Sequence, residues 1–270
     1  MQLGEKQLLK VVKKVEFGVY RGEEDSEERV LLPIKQVPEN IQVGDGLEVF
    51  LYKDSKDRLI ATTREPAVTL GQIAKLPVKE VTKIGAFLDW GLEKDLFLPF
   101  KQQTHRVHPG EECLVGLYTD KSGRLCATMN VYEYLRQDSP YAKDDHVTGT
   151  IYQISKNFGA FVAVDDQFSG LVPAREFFGQ AQIGDQVQAR VTGVKEDGKL
   201  DLSLREKVGV QINEDAAAVM RVIEEFDGVL PFTDKASPEV IKREMAMSKN
   251  AFKRAVGHLY KERKIEIRKD

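Results

Sequence analysis

The sequence predicts a mainly β chain that closes in an α+β C-terminal domain: three tandem β-barrel units over residues 1–65, 66–137 and 145–207, then a helical unit over 210–270. Three observations predict it. One pattern of strands and turns recurs three times in the same order. Within each copy, apolar and polar residues alternate with period two, the mark of half-buried strands. From about Val210 the period lengthens to about 3.6, the mark of amphipathic helices.

Each copy opens on a Gly-centred strand: Phe17-Gly18-Val19-Tyr20, Ile84-Gly85-Ala86-Phe87 and Phe158-Gly159-Ala160-Phe161. An apolar pair before proline follows: Leu31-Leu32-Pro33, Phe97-Leu98-Pro99 and Leu171-Val172-Pro173. Next comes a turn opening a strand, at Val43-Gly44-Asp45, Pro109-Gly110-Glu111 and Ile183-Gly184-Asp185, and last a hairpin carrying Arg58, Arg124 or Lys199. Both the prolines and the turn glycines are spaced by 66 and then 74 positions, a register that chance does not maintain. The alternation Leu47, Val49, Leu51 is matched by Cys113, Val115, Leu117 and by Val187, Ala189, Val191. About five strand-length segments in ~70 residues fit a small Greek-key barrel of the OB type better than a sandwich. Gly18, Gly85 and Gly159 then serve the sharp coiling of such a barrel. Cys113, at the inward position of Leu47 and Val187, is a small core residue.

In the helical unit, Ala216, Val219, Met220, Ile223 and Phe226 recur at helical spacing, with Asn213 as N-cap and Gly228 as stop. Ser237-Pro238 opens a second helix, with proline in its first turn. Ser248 caps a third helix running to about Arg263, and Ile265-Glu266-Ile267-Arg268 alternates as a strand. Three short helices and a strand resemble a winged helix-turn-helix. On the third helix Ala251, Phe252, Ala255, Val256 and Leu259 form one face, opposite Asn250, Lys253, Arg254, Gly257, Lys261 and Lys264. That is the pattern of a recognition helix, and equally of a solvated surface helix; Lys249, Lys253, Arg254 and Lys261 are its candidate phosphate contacts.

Net charge is −3, but residues 242–269 hold ten basic side chains against three acidic ones, so phosphate contact is expected to be local. No apolar run approaches the ~18 residues that cross a bilayer. Met1-Gln2-Leu3-Gly4-Glu5-Lys6 is too polar to open a signal peptide, so a soluble, cytoplasmic chain without membrane contact is expected. Cys113 and Cys126 lack the spacing of a disulfide framework or a zinc site. His105, His108, His146 and His258 fall in different elements, Asp165-Asp166 reads as a turn, and neither a nucleophile elbow nor a phosphate loop is present. Catalysis, metal, cofactor and small-molecule substrate are therefore not expected. What remains is the aromatic set: Phe17 with Tyr20, Phe87, and Phe158 with Phe161, each copy sharing its hairpin cation. A ring on a curved β face stacks a base for ~1–3 kcal/mol while a cation meets phosphate. Taken singly, each ring fits core packing equally well; the recurrence favours the set.

These residues resemble the ribosomal S1 RNA-binding domain, most clearly in Val147-Thr148-Gly149-Thr150-Ile151, Phe158-Gly159-Ala160-Phe161-Val162, Gly170-Leu171-Val172 and Gly198-Lys199-Leu200-Asp201-Leu202-Ser203. The resemblance implies a binding face of two aromatics, a histidine, an Asp and a basic residue. The third copy supplies Phe158, Phe161 and Lys199, with Pro173 for the histidine and Lys195 for the Asp. The second supplies Phe87, Asp120 and Arg124, with Ile84 for the first aromatic and Pro99 for the histidine; the first supplies Phe17, Tyr20, Asp54 and Arg58, with Pro33 for the histidine. Three such barrels and a winged helix resemble, over nearly the whole chain, the conserved virulence factor B family of bacterial RNA-binding proteins. That implies a non-catalytic regulator of gene expression, related to virulence, that binds single-stranded RNA. The alternative is a DNA-binding transcription regulator acting through the winged helix.

Overall fold

Alternation of apolar and polar residues becomes strand where one face has a core to cover, and among the described residues there are fifteen strands. The computed structural model describes residues 1–23, 28–177, 181–205, 208–230, 232 and 236–267, in two units, Met1–Leu204 and Arg205–Asp270. In the first unit, β1 (Lys6–Val15), β2 (Gly18–Gly22), β3 (Val30–Pro33), β4 (Gly46–Lys53) and β5 (Leu59–Thr62) close a barrel in the order β1-β2-β3-β5-β4. The second barrel, of β6 (Ile73–Val81), β7 (Gly85–Leu88), β8 (Leu96–Pro99), β9 (Glu112–Thr119) and β10 (Leu125–Thr128), repeats that order. So does the third, of β11 (His146–Ser155), β12 (Gly159–Val164), β13 (Phe168–Pro173), β14 (Gln186–Val194) and β15 (Leu200–Ser203). Every barrel closes through one short parallel pairing, at Leu31 with Ile60, Phe97 with Cys126, and Leu171 with Asp201.

The recurring glycines are architectural, as the repeats predict. Gly18, Gly85 and Gly159 pair with Pro33, Pro99 and Pro173. A Cβ on Gly159, at φ +112°, would stand 2.0 Å from the Val172 carbonyl oxygen, so no side chain fits there. A bulge in each opening strand, at Val11/Lys13, Val78/Glu80 and Ile151/Gln153, adds the bend that closes five strands. Inside lie Leu9, Val11, Val19, Leu32 and Leu51 in the first barrel, and Ile151, Ala160, Val162, Val172 and Leu202 in the third. Cys113 is buried in the second core, where burial pushes its thiol up to about 12, an inert group.

The barrels share buried seams. Phe50 and Tyr52, on the outer side of β4, enter the second barrel's core cluster beside Trp90. Trp90 meets Phe50 edge-on at 5.7 Å and donates its indole N–H to the Lys94 carbonyl at 2.6 Å. Between the second and third barrels, Leu114, Val131, Leu135, Tyr152 and Ala163 form one buried cluster, with Phe161 packed against it. There the Lys75 ammonium lies 3.2 Å from Asp166, and Arg136 backbone groups bond Gln167 and Ser169 at 2.8 and 3.0 Å.

The second unit packs α1 (Val208–Glu225), α2 (Pro238–Met245) and α3 (Lys249–Lys261) around Ala216, Val219, Ile241, Met245, Phe252, Ala255 and Leu259. Ser237 and Ser248 cap α2 and α3, accepting from the amides of Val240 and Ala251. Gly228, at φ +88°, donates back to the Ile223 carbonyl at 2.8 Å and stops the helix. Three expectations are corrected. Asn213 lies inside α1 and does not cap it, because an exposed Asn costs an already favourable helix no more than about 0.7 kcal/mol. The third helix stops at Lys261, since Arg263 turns left-handed at φ +59° and Lys264 donates to the Leu259 carbonyl. Residues 265–267 form no strand, and Arg268 lies outside the described residues. Among the described residues no strand pairs with them, and a strand forms only beside another. Among the described residues, no helix is long and apolar enough to cross a membrane.

Candidate nucleic-acid interface

Because Val19, Ala86 and Ala160 point inward and are buried, their successors Tyr20, Phe87 and Phe161 point outward, half-buried. Each begins an outward row over three strands: Tyr20, Leu31, Ile60; Phe87, Phe97, Cys126; and Phe161, Leu171, Asp201. The residue before each glycine is freer. Phe17 is 57% exposed, Ile84 65% and Phe158 63%. The expected pairs form in two barrels, with ring centroids 6.4 Å apart for Phe17 with Tyr20 and for Phe158 with Phe161. In the second barrel, where isoleucine replaces the first ring, Phe87 leans on Phe97 at 5.3 Å instead.

The hairpin cations are engaged elsewhere than on these rings. Arg58 forks onto Asp54 at 2.9 and 2.7 Å. Burial acts to raise the Asp54 carboxyl, but hydrogen bonds from Arg58 and Lys56 bring it below the ordinary value. Arg124 reaches across the seam to Asp57 of the first barrel. Lys199 donates to Asp197 at 2.7 Å, and its ammonium lies 5.6 Å from the centroid of the Tyr132 ring. What each cation bonds is a carboxylate, since a charge-assisted bond to a neighbouring acid outweighs an exposed ring face. Each prolyl residue at the histidine position ends its strand; in the first two barrels a 3-10 turn follows, tied by the Thr62 and Thr128 hydroxyls, which donate to Gln36 and Gln102 at 2.6 Å.

Tyr132 was not singled out by the sequence. It stands on a 3-10 turn, Tyr132–Tyr134, between the second and third barrels, and is 41% exposed while its neighbours Val131 and Leu135 are buried. Burial, with Tyr132 nearby, pushes the Tyr152 phenol above its ordinary value, and Tyr152 in turn meets Phe161 at 6.1 Å. The only signal was a pair of tyrosines outside the repeat. His105 and His108, read as belonging to different elements, both meet Glu111, at 2.5 and 3.6 Å. Asp165 and Asp166 form the turn expected of them, at φ +52° and +53°.

On α3, Lys253, Arg254 and Lys261 are exposed. Lys249 is half-buried and donates to the Ala236 carbonyl at 2.9 Å, so its charge serves the helical unit itself.

Comparison with known proteins places three kinds of module along the chain. Residues 3–64 and 70–130 match the S1 domain, 131–206 the second domain of virulence regulatory factor CvfB, and 217–270 the CvfB-like winged helix domain. The match from 131 takes in the turn that bears Tyr132. Among full-length relatives, YitL of Bacillus subtilis is 30% identical over 98% of this chain and 91% of its own length. Conserved virulence factor B of Staphylococcus aureus strain N315 is 29% identical, over 85% and 79%. A crystal structure of a multidomain protein with nucleic acid binding domains from Streptococcus pneumoniae superposes with a TM-score of 0.54 at 25% identity, covering 98% of this chain and 96% of that one.

Proposed function

The chain belongs to the conserved virulence factor B family, and on that premise we propose that it is a non-catalytic regulator that binds single-stranded RNA in the cytoplasm, controlling gene expression after transcription, virulence traits included. One observation carries the reading: Phe158, 63% exposed, stands beside half-buried Phe161 on an S1-type barrel. An exposed ring backed by a second aromatic on a curved sheet is complementary to unstacked bases, which a duplex does not offer. Two acids of the second barrel are occupied in holding structure, Glu111 with two histidines and Asp120 with the amides of its own hairpin.

A second reading rests on α3, whose exposed Lys253, Arg254 and Lys261 suit a major groove. Competition among single-stranded RNA, single-stranded DNA and duplex DNA at one salt concentration separates the two. The proposal expects single-stranded RNA to win; preference for the duplex would install the winged helix as the primary reader. Lys253→Ala should reduce the slope of log affinity against log salt by about one phosphate contact and leave base preference alone. An unchanged slope would remove α3 from the interface.

A further inference from the structure

We infer that Tyr132 is a base-stacking residue of the third barrel's site, so that the RNA path crosses the seam between the second and third barrels. The inference rests on the single-stranded RNA reading above and extends it to a residue outside the S1 repeat. Tyr132 is exposed, yet its backbone is fixed: Val131 and Leu135 on either side are buried in the seam with Leu114, Tyr152 and Ala163. The turn is held further by the Tyr134 amide, which donates to the Val131 carbonyl at 2.9 Å. A ring mounted this way loses little conformational freedom when a base stacks on it.

The surroundings point the same way. Tyr152, Phe161 and Phe158 follow one another in ring contacts of 6.1 and 6.4 Å, and exposed Tyr132 stands on the turn whose Val131 and Leu135 pack with Tyr152 and Phe161. The Tyr152 hydroxyl is buried and meets no hydrogen-bond partner among the described residues. Lys199 holds its ammonium over the Tyr132 ring, 5.6 Å from the centroid, and is oriented there by its bond to Asp197. A strand laid over the two exposed rings thus finds a base platform at each end and a cation for the intervening phosphate, a site of more than one nucleotide.

The test uses the whole protein and a labelled single-stranded RNA 12-mer. Tyr132→Ala should weaken binding by about ten-fold or more, the loss of one stacked ring, with melting temperature and salt slope unchanged. Tyr132→Trp should keep the affinity and Tyr132→Leu, of similar bulk without a ring, should lose it; this pair decides the matter even if the alanine variant melts early. Equal affinity of the Trp and Leu variants would overturn the inference. If the wild-type protein binds the RNA and Phe158→Ala weakens it while Tyr132→Ala does not, the inference falls and the RNA reading stands. If the wild-type protein shows no preference for single-stranded RNA, both fall.

Discussion

The second and third barrels share a strand order, a parallel closure and a glycine–proline pair, yet their outer faces do different things. In the second, Ile84 replaces a ring, Phe87 rests on Phe97, and Arg124 pairs with the first barrel. In the third, Phe158 is exposed beside Phe161 and Lys199 bonds Asp197 of its own hairpin. The backbone lattice is set by inward residues common to both, and the function by outward residues free to differ. The second barrel is the one to which both neighbours are packed, and the third carries the face proposed to bind RNA.

The largest expected effect tests the scaffold half of that contrast. Trp90→Ala should cost about 3–5 kcal/mol of stability, because the ring is buried against Phe50 and Tyr52 of the first barrel. Calorimetric or denaturant unfolding measures it. A loss below about 1 kcal/mol would mean that the first seam is not structural.

A smaller effect separates the hairpins. Asp120 accepts from the Ser122 hydroxyl and amide at 2.7 and 2.8 Å and from the Arg124 amide at 3.0 Å. The Ser122 hydroxyl first, then the Arg124 amide, hold its carboxyl below the ordinary value; the third barrel has Lys195 there, paired with Asp201 at 3.3 Å. A carboxyl depressed in the folded state contributes its stability above the unfolded value and loses it as pH falls through the folded one. Asp120→Asn should therefore lower stability at neutral pH by no more than about 1 kcal/mol. Melting curves of the two proteins should converge below about pH 4; a gap that persists into acid would assign the effect to packing.

The repeat made the barrels legible because inward alternation, the glycine bend and the proline stop are local and occur three times. Ser237 and Ser248 were legible for the same reason, since a cap and its helix are neighbours in sequence. The seams were not. Phe50 and Tyr52 look like ordinary outward residues until Trp90, about forty residues on, covers them, and Tyr132 matters only once its turn lies against the third barrel. The ends of the cations were not legible for a different reason: sequence position fixes where a long side chain starts, while the nearest acceptor decides where it ends, as Arg124 with Asp57 and Lys249 with the Ala236 carbonyl illustrate. Alternation in Ile265-Glu266-Ile267 read as a strand because sequence shows the pattern and not whether another strand lies alongside.

The central claim, that the third barrel's outer face binds RNA bases, is tested most directly by titrating single-stranded RNA against Phe158→Ile with Ile84→Ala as control. The substitution keeps an apolar side chain at an exposed position and removes only the ring. The account predicts binding weakened by ~1–3 kcal/mol with unchanged melting temperature and salt slope, and an Ile84→Ala affinity within about two-fold of wild type. Wild-type affinity in Phe158→Ile, or an equal loss in both variants, would contradict it.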